Sequence, residues 1–331
     1  MKALVTGASG FVGGAVARAL LRQGAYVRVL LRPGAVPNVG DPGELEIVRG
    51  DLRDAQAVAV AVRGCDAVFH VGALYSFTAA ESEMLAVNVG GTRNVAAAVR
   101  SEGARLIYTS SIATIGGMHD GVPPDETSMP AGSPPGPYKK SKWEAEALIR
   151  DEANRDLDVV IVNPTFPVGE GDVKPTPTGA VIRDFLEGRL PAYVDTGMNV
   201  VDVDDVAQGE LLALERGKRG ERYILGNANL TMREFIDELA AISGRKPPRF
   251  RMPLALALGL AHADAFVAGR ILGRPPRIPL EGVRTAREVM FANCQRAVRE
   301  LGLRQTPVRD ALAKAVRWFE EHPRKQVRGV S

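Results

Sequence analysis

Three glycines set three apart, at the junction of a strand and a helix, constrain this chain more than any other feature. They lie in Thr6-Gly7-Ala8-Ser9-Gly10-Phe11-Val12-Gly13, after the apolar run Ala3-Leu4-Val5 and at the start of a helical pattern from Phe11 to Arg22. Gly7 permits a tight turn, Gly10 lets the backbone approach a bound group, and Gly13 lets helix and strand pack closely. The helix N-terminus then presents free N–H groups and the positive end of its dipole, a site suited to phosphate. The spacing is G-x-x-G-x-x-G rather than G-x-G-x-x-G, and a glycine pattern alone is weak evidence. Its place at the first turn of a strand–helix series is what makes a dinucleotide pyrophosphate the expected ligand.

That series runs to residue 165. Strands are expected at 26–31, 45–48, 67–71, 105–109 and 159–162, with helices at 55–63, 84–100 and 139–155. Strands alternating with helices of this length build a parallel sheet covered on both faces, and right-handed crossovers leave a doubly wound Rossmann α/β topology. Beyond Pro164, Gly and Pro are dense as far as Pro177. The remainder mixes helices at 203–215, 232–243 and 307–321 with short strands such as 222–225. Residues 1–165 are expected to form the dinucleotide-binding domain, with part of 196–226 returning to it. Residues 166–195 and 227–331 are then a smaller, mainly helical C-terminal substrate lobe over the carboxyl edge of the sheet.

The end of the second strand bears on cofactor choice. An NAD-preferring site places Asp or Glu there for the ribose 2′-OH. Here Leu30-Leu31-Arg32-Pro33 holds no acid, and the Arg32 guanidinium suits a 2′-phosphate. NADP(H) is therefore the preferred expectation and NAD(H) the alternative; the plainer reading of Arg32 is a solvated strand end. Asp51, followed by Leu52 after the third strand, reads as an acceptor for an adenine amino group or as a helix N-cap.

Tyr138 and Lys142 lie four apart at a helix start, so both project from one face. A phenol with its ordinary pKa of ~10 transfers protons poorly at neutral pH, and an ammonium beside it favours the phenolate. A hydroxyl at a neighbouring strand end would hold the substrate oxygen. Thr109-Ser110-Ser111 ends the fifth strand, where open α/β sheets place ligands. Tyr-x-x-x-Lys alone is a poor signal; joined to the glycine loop and the strand-end serine it points to hydride-transfer chemistry.

Further motifs follow in order: His70-Val71-Gly72-Ala73, Asn88-Val89-Gly90-Gly91-Thr92-Arg93-Asn94, Asn163-Pro164 and Val203-Asp204-Asp205-Val206-Ala207. With these the chain resembles, over nearly its whole length, the extended short-chain dehydrogenases/reductases of the NAD-dependent epimerase/dehydratase family. Within that group it is most similar to hopanoid-associated sugar epimerases and dihydroflavonol-4-reductase-like enzymes, through residues 174–179 and 191–197. The resemblance implies that Tyr138 is the acid–base, Lys142 its modulator and nicotinamide-ribose ligand, and Ser111 the donor to the substrate oxygen. It places Gly7, Ser9, Gly10, Phe11, Val12 and Gly13 around the pyrophosphate. His70, Val71, Gly72 and Ala73 fall on the adenosine side, and Asn88, Thr109, Asn163, Pro164 and Thr165 around the rest of the cofactor.

For the substrate, Tyr75, Phe77, Phe166, Met198 and Val200 are read as an apolar lining near the nicotinamide. Nucleotide-sugar enzymes commonly carry an Arg before the aspartates of the second lobe, whereas residues 197–202 hold no base and only Arg274 is left as a donor to a diphosphate. Ile112-Ala113-Thr114 also lacks the acid pair of the sugar dehydratases. The preferred reading is reversible hydride transfer between a secondary alcohol and a ketone on a small or moderately apolar molecule. The alternative is an epimerase that oxidises, lets the keto intermediate turn and reduces it from the other face. A dinucleotide-sensing binding protein is a third reading, which the Tyr-Lys pair disfavours.

Composition narrows the partners. With 42 Lys and Arg against 39 Asp and Glu, no nucleic-acid partner is expected, and local basicity is read in the tail at 324–328. Cys65 and Cys294 have no metal-ligand spacing, so no metal is expected. The N-terminus runs directly into a strand without a signal-peptide pattern, which points to the cytoplasm. The apolar run from Leu254 to Leu260 falls short of the ~20 residues that span a bilayer. It reads as a core or lid helix, or as a helix resting peripherally on a membrane surface. The family likeness implies a homodimer through paired helices.

Overall fold

Apolar runs and amphipathic helices alternate through the first half of the chain. They form β1 (Lys2–Thr6), α1 (Phe11–Arg22), β2 (Tyr26–Leu31), β3 (Leu45–Arg49), α2 (Ala55–Val62), β4 (Ala67–His70), α3 (Glu81–Leu85), α4 (Gly91–Glu102), β5 (Arg105–Thr109), α5 (Pro137–Asn154) and β6 (Val159–Pro164). The second half is less regular. It contributes β7 (Phe166–Val168), α6 (Pro177–Leu186), β8 (Ala192–Val194), β9 (Gly197–Asp202), α7 (Val203–Arg216), β10 (Arg222–Leu225), β11 (Ala228–Thr231), α8 (Met232–Ser243), β12 (Phe250–Met252), α9 (Leu254–Phe266), α10 (Leu280–Thr285) and α11 (Val308–Glu321). This computed structural model describes residues 1–324 apart from 77–78, 131, 133, 135 and 272–279. Phe77, Arg274 and the tail beyond Arg324 lie outside the described residues.

Seven strands make one parallel sheet in the order β3-β2-β1-β4-β5-β6-β10. Successive residues of the central strands enter opposite cores, as the period of two requires. Ala3, Val5, Phe69, Ile107 and Val160 pack towards α1 and α7, whereas Leu4, Val68, Leu106 and Ile161 pack towards α2, α4 and α5. The strand order reverses between β1 and β4, which opens a crevice at the carboxyl ends of these strands. That crevice positions the site.

The second lobe is built on β9, flanked by β7 in parallel and β11 in antiparallel, with β8 and β12 forming a separate parallel pair. Helices α6, α8 and α11 close over it around Ile182, Phe235, Leu239, Leu312 and Phe319. The sequence pattern marked α8 and α11 and overlooked α6 and these strands. β7 and β8 are three residues long, and all six residues of β9 are buried, so no alternation betrays it. After β9 and α7 the chain returns to the main sheet, where β10 pairs with β6 from Arg222↔Ile161 to Leu225↔Pro164.

Local chemistry explains the ends of several elements. α2 is capped by Asp54, which accepts the N–H groups of Gln56 and Ala57, so the cap reading of Asp51 is excluded. α5 starts at Gly136, with φ +87°, followed by Pro137 in the first helical position. α8 has a reciprocal capping box between Thr231 and Glu234 and ends on Gly244 in the left-handed region. Between α3 and α4 the helix continues through a π turn at Ala86–Gly90.

Candidate active site

The glycine turn is closed by backbone on every inner side. Gly7 has φ +75°, and a Cβ there would lie 2.7 Å from the Cα and N of Gly72, so the turns after β1 and β4 touch main chain to main chain. A Cβ on Gly13 would stand 2.3 Å from the Gly7 carbonyl oxygen. Gly10 donates its N–H to that same oxygen at 2.9 Å, and a Cβ on Gly10 would meet nothing closer than this oxygen, at 3.3 Å. No side chain caps α1 and no acid lies in its first turn. The residues present therefore fit a dinucleotide diphosphate, held by the uncapped helix end above a cradle that a Cβ would fill. Asn38 braces this turn without any motif to announce it: its amide donates to the carbonyls of Gly10 (3.2 Å) and Gly171 (2.7 Å).

Towards the adenosine side, Arg32 is exposed, and its guanidinium has no hydrogen-bond or ion-pair partner among the described residues. Arg49 shapes the turn beneath it by donating to the carbonyls of Arg32 and Ala35. The Asp51 carboxylate is already held by Arg53 through two bonds of 2.9 Å, which keeps it below the usual carboxylate range. Leu52 packs against the helix start at Gly91.

His70 requires a correction. Its ring is buried, with Nδ1 2.8 Å from the Thr6 hydroxyl and Nε2 3.0 Å from that of Thr92. Thr6 accepts from Gly72 N–H, and Thr92 donates to the Asn88 carbonyl. The consistent assignment is therefore a neutral ring protonated at Nε2, and burial pulls its pKa down to about 3. The imidazole is a strut joining β1, β4 and α4. Asn88, buried in the π turn, holds Leu74 by both backbone groups (2.7 and 3.1 Å) and donates to the Ser141 hydroxyl at 2.8 Å. It fastens the segment after β4 to α5.

On α5, Tyr138, Lys142 and Glu146 recur every four residues along one face. The Tyr138 ring is partly exposed and meets Tyr75 edge-on with centroids 4.3 Å apart. The Ser111 hydroxyl accepts Ala113 N–H at 3.1 Å and faces the Tyr138 phenol. Desolvation pushes that phenol up to about 12, opposed by Ser111. Lys142 is buried, and its Nζ donates to the Thr109 carbonyl at 2.8 Å. Burial brings it down to about 8, against the pull of Glu146 and Glu210. In this arrangement the Lys142 ammonium is directed at Thr109, and desolvation is the larger influence on the phenol.

Two groups beneath the site, Glu210 and Glu146, had no sequence motif. Glu210 of α7 is wholly buried and accepts the Thr109 hydroxyl at 2.9 Å, while its Oε2 has no partner; burial raises it to about 8. Its only signal is a lone acid among apolar neighbours. Glu146 accepts Thr114 (2.6 Å), Asn163 (2.9 Å) and Arg222 (3.1 Å). Asn163 also donates to the Ser111 carbonyl at 3.1 Å, so its amide fixes the Ser111 turn from below. Pro164 and Thr165 are likewise buried, and Thr165 N–H bonds the Leu225 carbonyl.

The expected substrate residues separate. Tyr75 lies at Tyr138, whereas Met198 and Val200 are buried in the core of the second lobe, with Phe166 packed against it. Met198 and Val200 are drawn inward because β9 is the centre strand of its sheet. The cavity beside Ser111 is walled instead by Ile112, Ala113, Gly116, Lys139, Met290 and Phe291. An ion pair between Lys139 and Glu288 closes one side of it at 2.5 Å. Among the described residues no group of His, Cys, Asp and Glu is placed to hold a metal.

A doubly wound sheet with a glycine turn at its switch point, a Ser at the adjoining strand end and a Tyr and Lys on the neighbouring helix is the arrangement of a class of nicotinamide-dependent enzymes. Residues 3–226 match the model of the NAD dependent epimerase/dehydratase family, and the chain belongs to that family of enzymes. It is 43% identical over 325 residues to the "Putative dihydroflavonol 4-reductase" of Synechocystis sp., covering 96% of this chain and 94% of the relative. It is 34% identical over 324 residues to sterol demethylase protein B of Methylococcus capsulatus, covering 97% and 99%. Among solved structures, the crystal structure of gox2253 superposes with a TM-score of 0.84 at 41% identity over 98% and 99% of the two chains.

Proposed function

We propose that this enzyme is an NADP(H)-dependent reductase that moves hydride between a ketone and a secondary alcohol on an apolar molecule. The observation that carries the reading is Tyr138, facing the Ser111 hydroxyl on the side of α5 that also carries Lys142. A bound nicotinamide dinucleotide supplies or accepts the hydride. Ser111 holds the substrate oxygen, and Tyr138 delivers the proton to it. A phenol held near 12 keeps its proton at neutral pH, which suits donation during ketone reduction. Lys142 sits behind with its charge anchored on Thr109 and serves the nicotinamide ribose.

The names of the similar proteins, a dihydroflavonol reductase and a sterol demethylase component, support an apolar carbon skeleton. A nucleotide sugar is poorly served by β9, whose residues are all buried and carry no base. The epimerase reading uses the same three residues; NAD found tightly bound to the purified protein would favour it. A homodimer belongs to the same proposal, supported by the groove between α4 and α5, where Trp143, Ala147 and Leu148 lie among charged residues that include Arg93 and Asp151.

Two substitutions test the reading. Tyr138→Phe should lower NADPH-linked reduction of apolar ketones by a factor of about 10²–10⁴ while leaving NADPH binding intact; undiminished turnover would remove Tyr138 from the mechanism. Arg32→Ala should weaken NADPH binding roughly tenfold and leave NADH binding unchanged. Equal losses for both cofactors would refute the 2′-phosphate assignment.

A further inference from the structure

The near balance of charge over the whole chain conceals a segregation. Between residues 245 and 287 the sequence carries nine Lys and Arg against two Asp and Glu, which leaves 33 against 37 in the rest. Arg245, Lys246 and Arg249 are exposed before α9, and Arg270 and Arg287 are exposed after it. Arg251 is paired with Asp195 at 3.0 Å.

Between these groups, α9 is inverted for a core or lid helix. Its buried residues are Ala257 and Ala261. Leu256 and Leu260 stand 54% and 43% exposed, and Phe266 and Val267, where the helix runs on, stand 62% and 39% exposed. With the exposed positions 255, 259, 262 and 263 they form two adjacent rows with steps of three and four residues, in which His262 is the single polar member. Phe250, between Arg249 and Arg251, is 73% exposed. Among the described residues no helix is long and apolar enough to cross a membrane.

We propose that α9 and its flanking arginines dock on the surface of an anionic lipid bilayer. The uncharged rows sink to the acyl boundary, and the basic side chains reach lipid phosphates on either side. Charge argues against a second copy as the occupant, because a two-fold contact would bring the same positive surface to itself. Shortly after α10 the chain reaches Met290 and Phe291, which wall the cavity beside Ser111. The chain thus runs from the docked segment into the wall of that cavity, a suitable route for a membrane-dissolved ketone. That last step rests on the reductase reading; the docking does not.

The test uses the full chain with vesicles of phosphatidylcholine, with and without phosphatidylglycerol, read by co-sedimentation. Binding is expected to the anionic vesicles, to weaken as salt is raised, and to fall at least about tenfold in a Leu256→Glu, Leu260→Glu double variant. Arg245→Glu with Lys246→Glu should weaken it in the same direction. All four positions are exposed, so unchanged thermal melting and NADPH binding confirm the fold of each variant. Equal recovery in the supernatant with either vesicle overturns the proposal. So does unchanged binding by the leucine variant, or self-association of the wild type in light scattering that the leucine variant abolishes.

Discussion

Beneath the catalytic face, Glu210 keeps one oxygen on Thr109 and the other buried without a partner. A carboxyl whose pKa is raised in the folded state, here to about 8, stabilises the fold in its protonated form. That contribution is complete below the unfolded value and is lost as the pH rises towards the folded one. Glu210→Gln keeps the acceptor and cannot ionise. Its stability should therefore improve relative to wild type between about pH 5 and pH 8, by at most about 1.4 kcal/mol per pH unit. Urea unfolding across that range measures it, and a difference that stays constant with pH would refute it. The contrast with Tyr138 and Lys142 shows what a sequence reveals at this scale. Those two stand out because their residue types and spacing belong to a known chemistry. Glu146 and Glu210 do not, since a helix pattern places an acid on a face but cannot say that Thr114, Asn163 and Arg222, or Thr109, will meet it there. His70 failed for the converse reason: its position beside the crevice was legible, but the direction of its ring was decided by Thr6 and Thr92.

Elements were legible in proportion to their periodicity. α1, α8, β2, β5 and β10 lie where hydrophobic spacing and flanking Gly or Thr residues put them, because the local signals and the packing agree. The strands of the second lobe were invisible because each is short or buried on both faces. The π turn between α3 and α4 was invisible as well, since nothing in Asn88-Val89-Gly90 announces an added residue per turn. The junction of β1 and α1 is the least tolerant element boundary. In Gly13→Ala the new methyl group must displace the Gly7 carbonyl, which is fixed in turn against Gly72. We expect a loss of about 1–3 kcal/mol in unfolding free energy, together with weaker NADPH binding in a fluorescence titration. A variant with wild-type stability and affinity would show that the turn can open without consequence.

At the scale of the whole molecule, the two halves of the chain are interlocked. β10 and α7 follow the first strands of the second lobe in sequence yet complete the main sheet and its core. The buried pair Arg222–Glu146, 3.1 Å apart, bolts β10 to α5. Removing one partner leaves the other charge buried, so Arg222→Met should cost about 3–5 kcal/mol, and adding Glu146→Gln should restore part of it. Chemical denaturation of the single and double variants measures both steps; an unharmed single variant would show the pair to be dispensable. The parallel sheet and the second lobe could be read from the sequence, but not this ion pair, because residues so distant in the chain share no local pattern.

The late arrival of β10 also bears on how the protein is made. Six strands of the main sheet have been synthesised by Pro164, but the seventh comes only at Arg222–Leu225. At about 5–20 residues per second a ribosome needs several seconds to supply it. Throughout that interval β6 is an uncovered edge reading Val159-Val160-Ile161-Val162, beside a sheet face still waiting for α7. Apolar, uncharged edges of this kind are templates for pairing with other chains. A nascent chain at this stage is a natural client for a chaperone that shields short apolar strands. A product cut off between Pro164 and Leu225 would aggregate rather than persist as a free dinucleotide-binding domain.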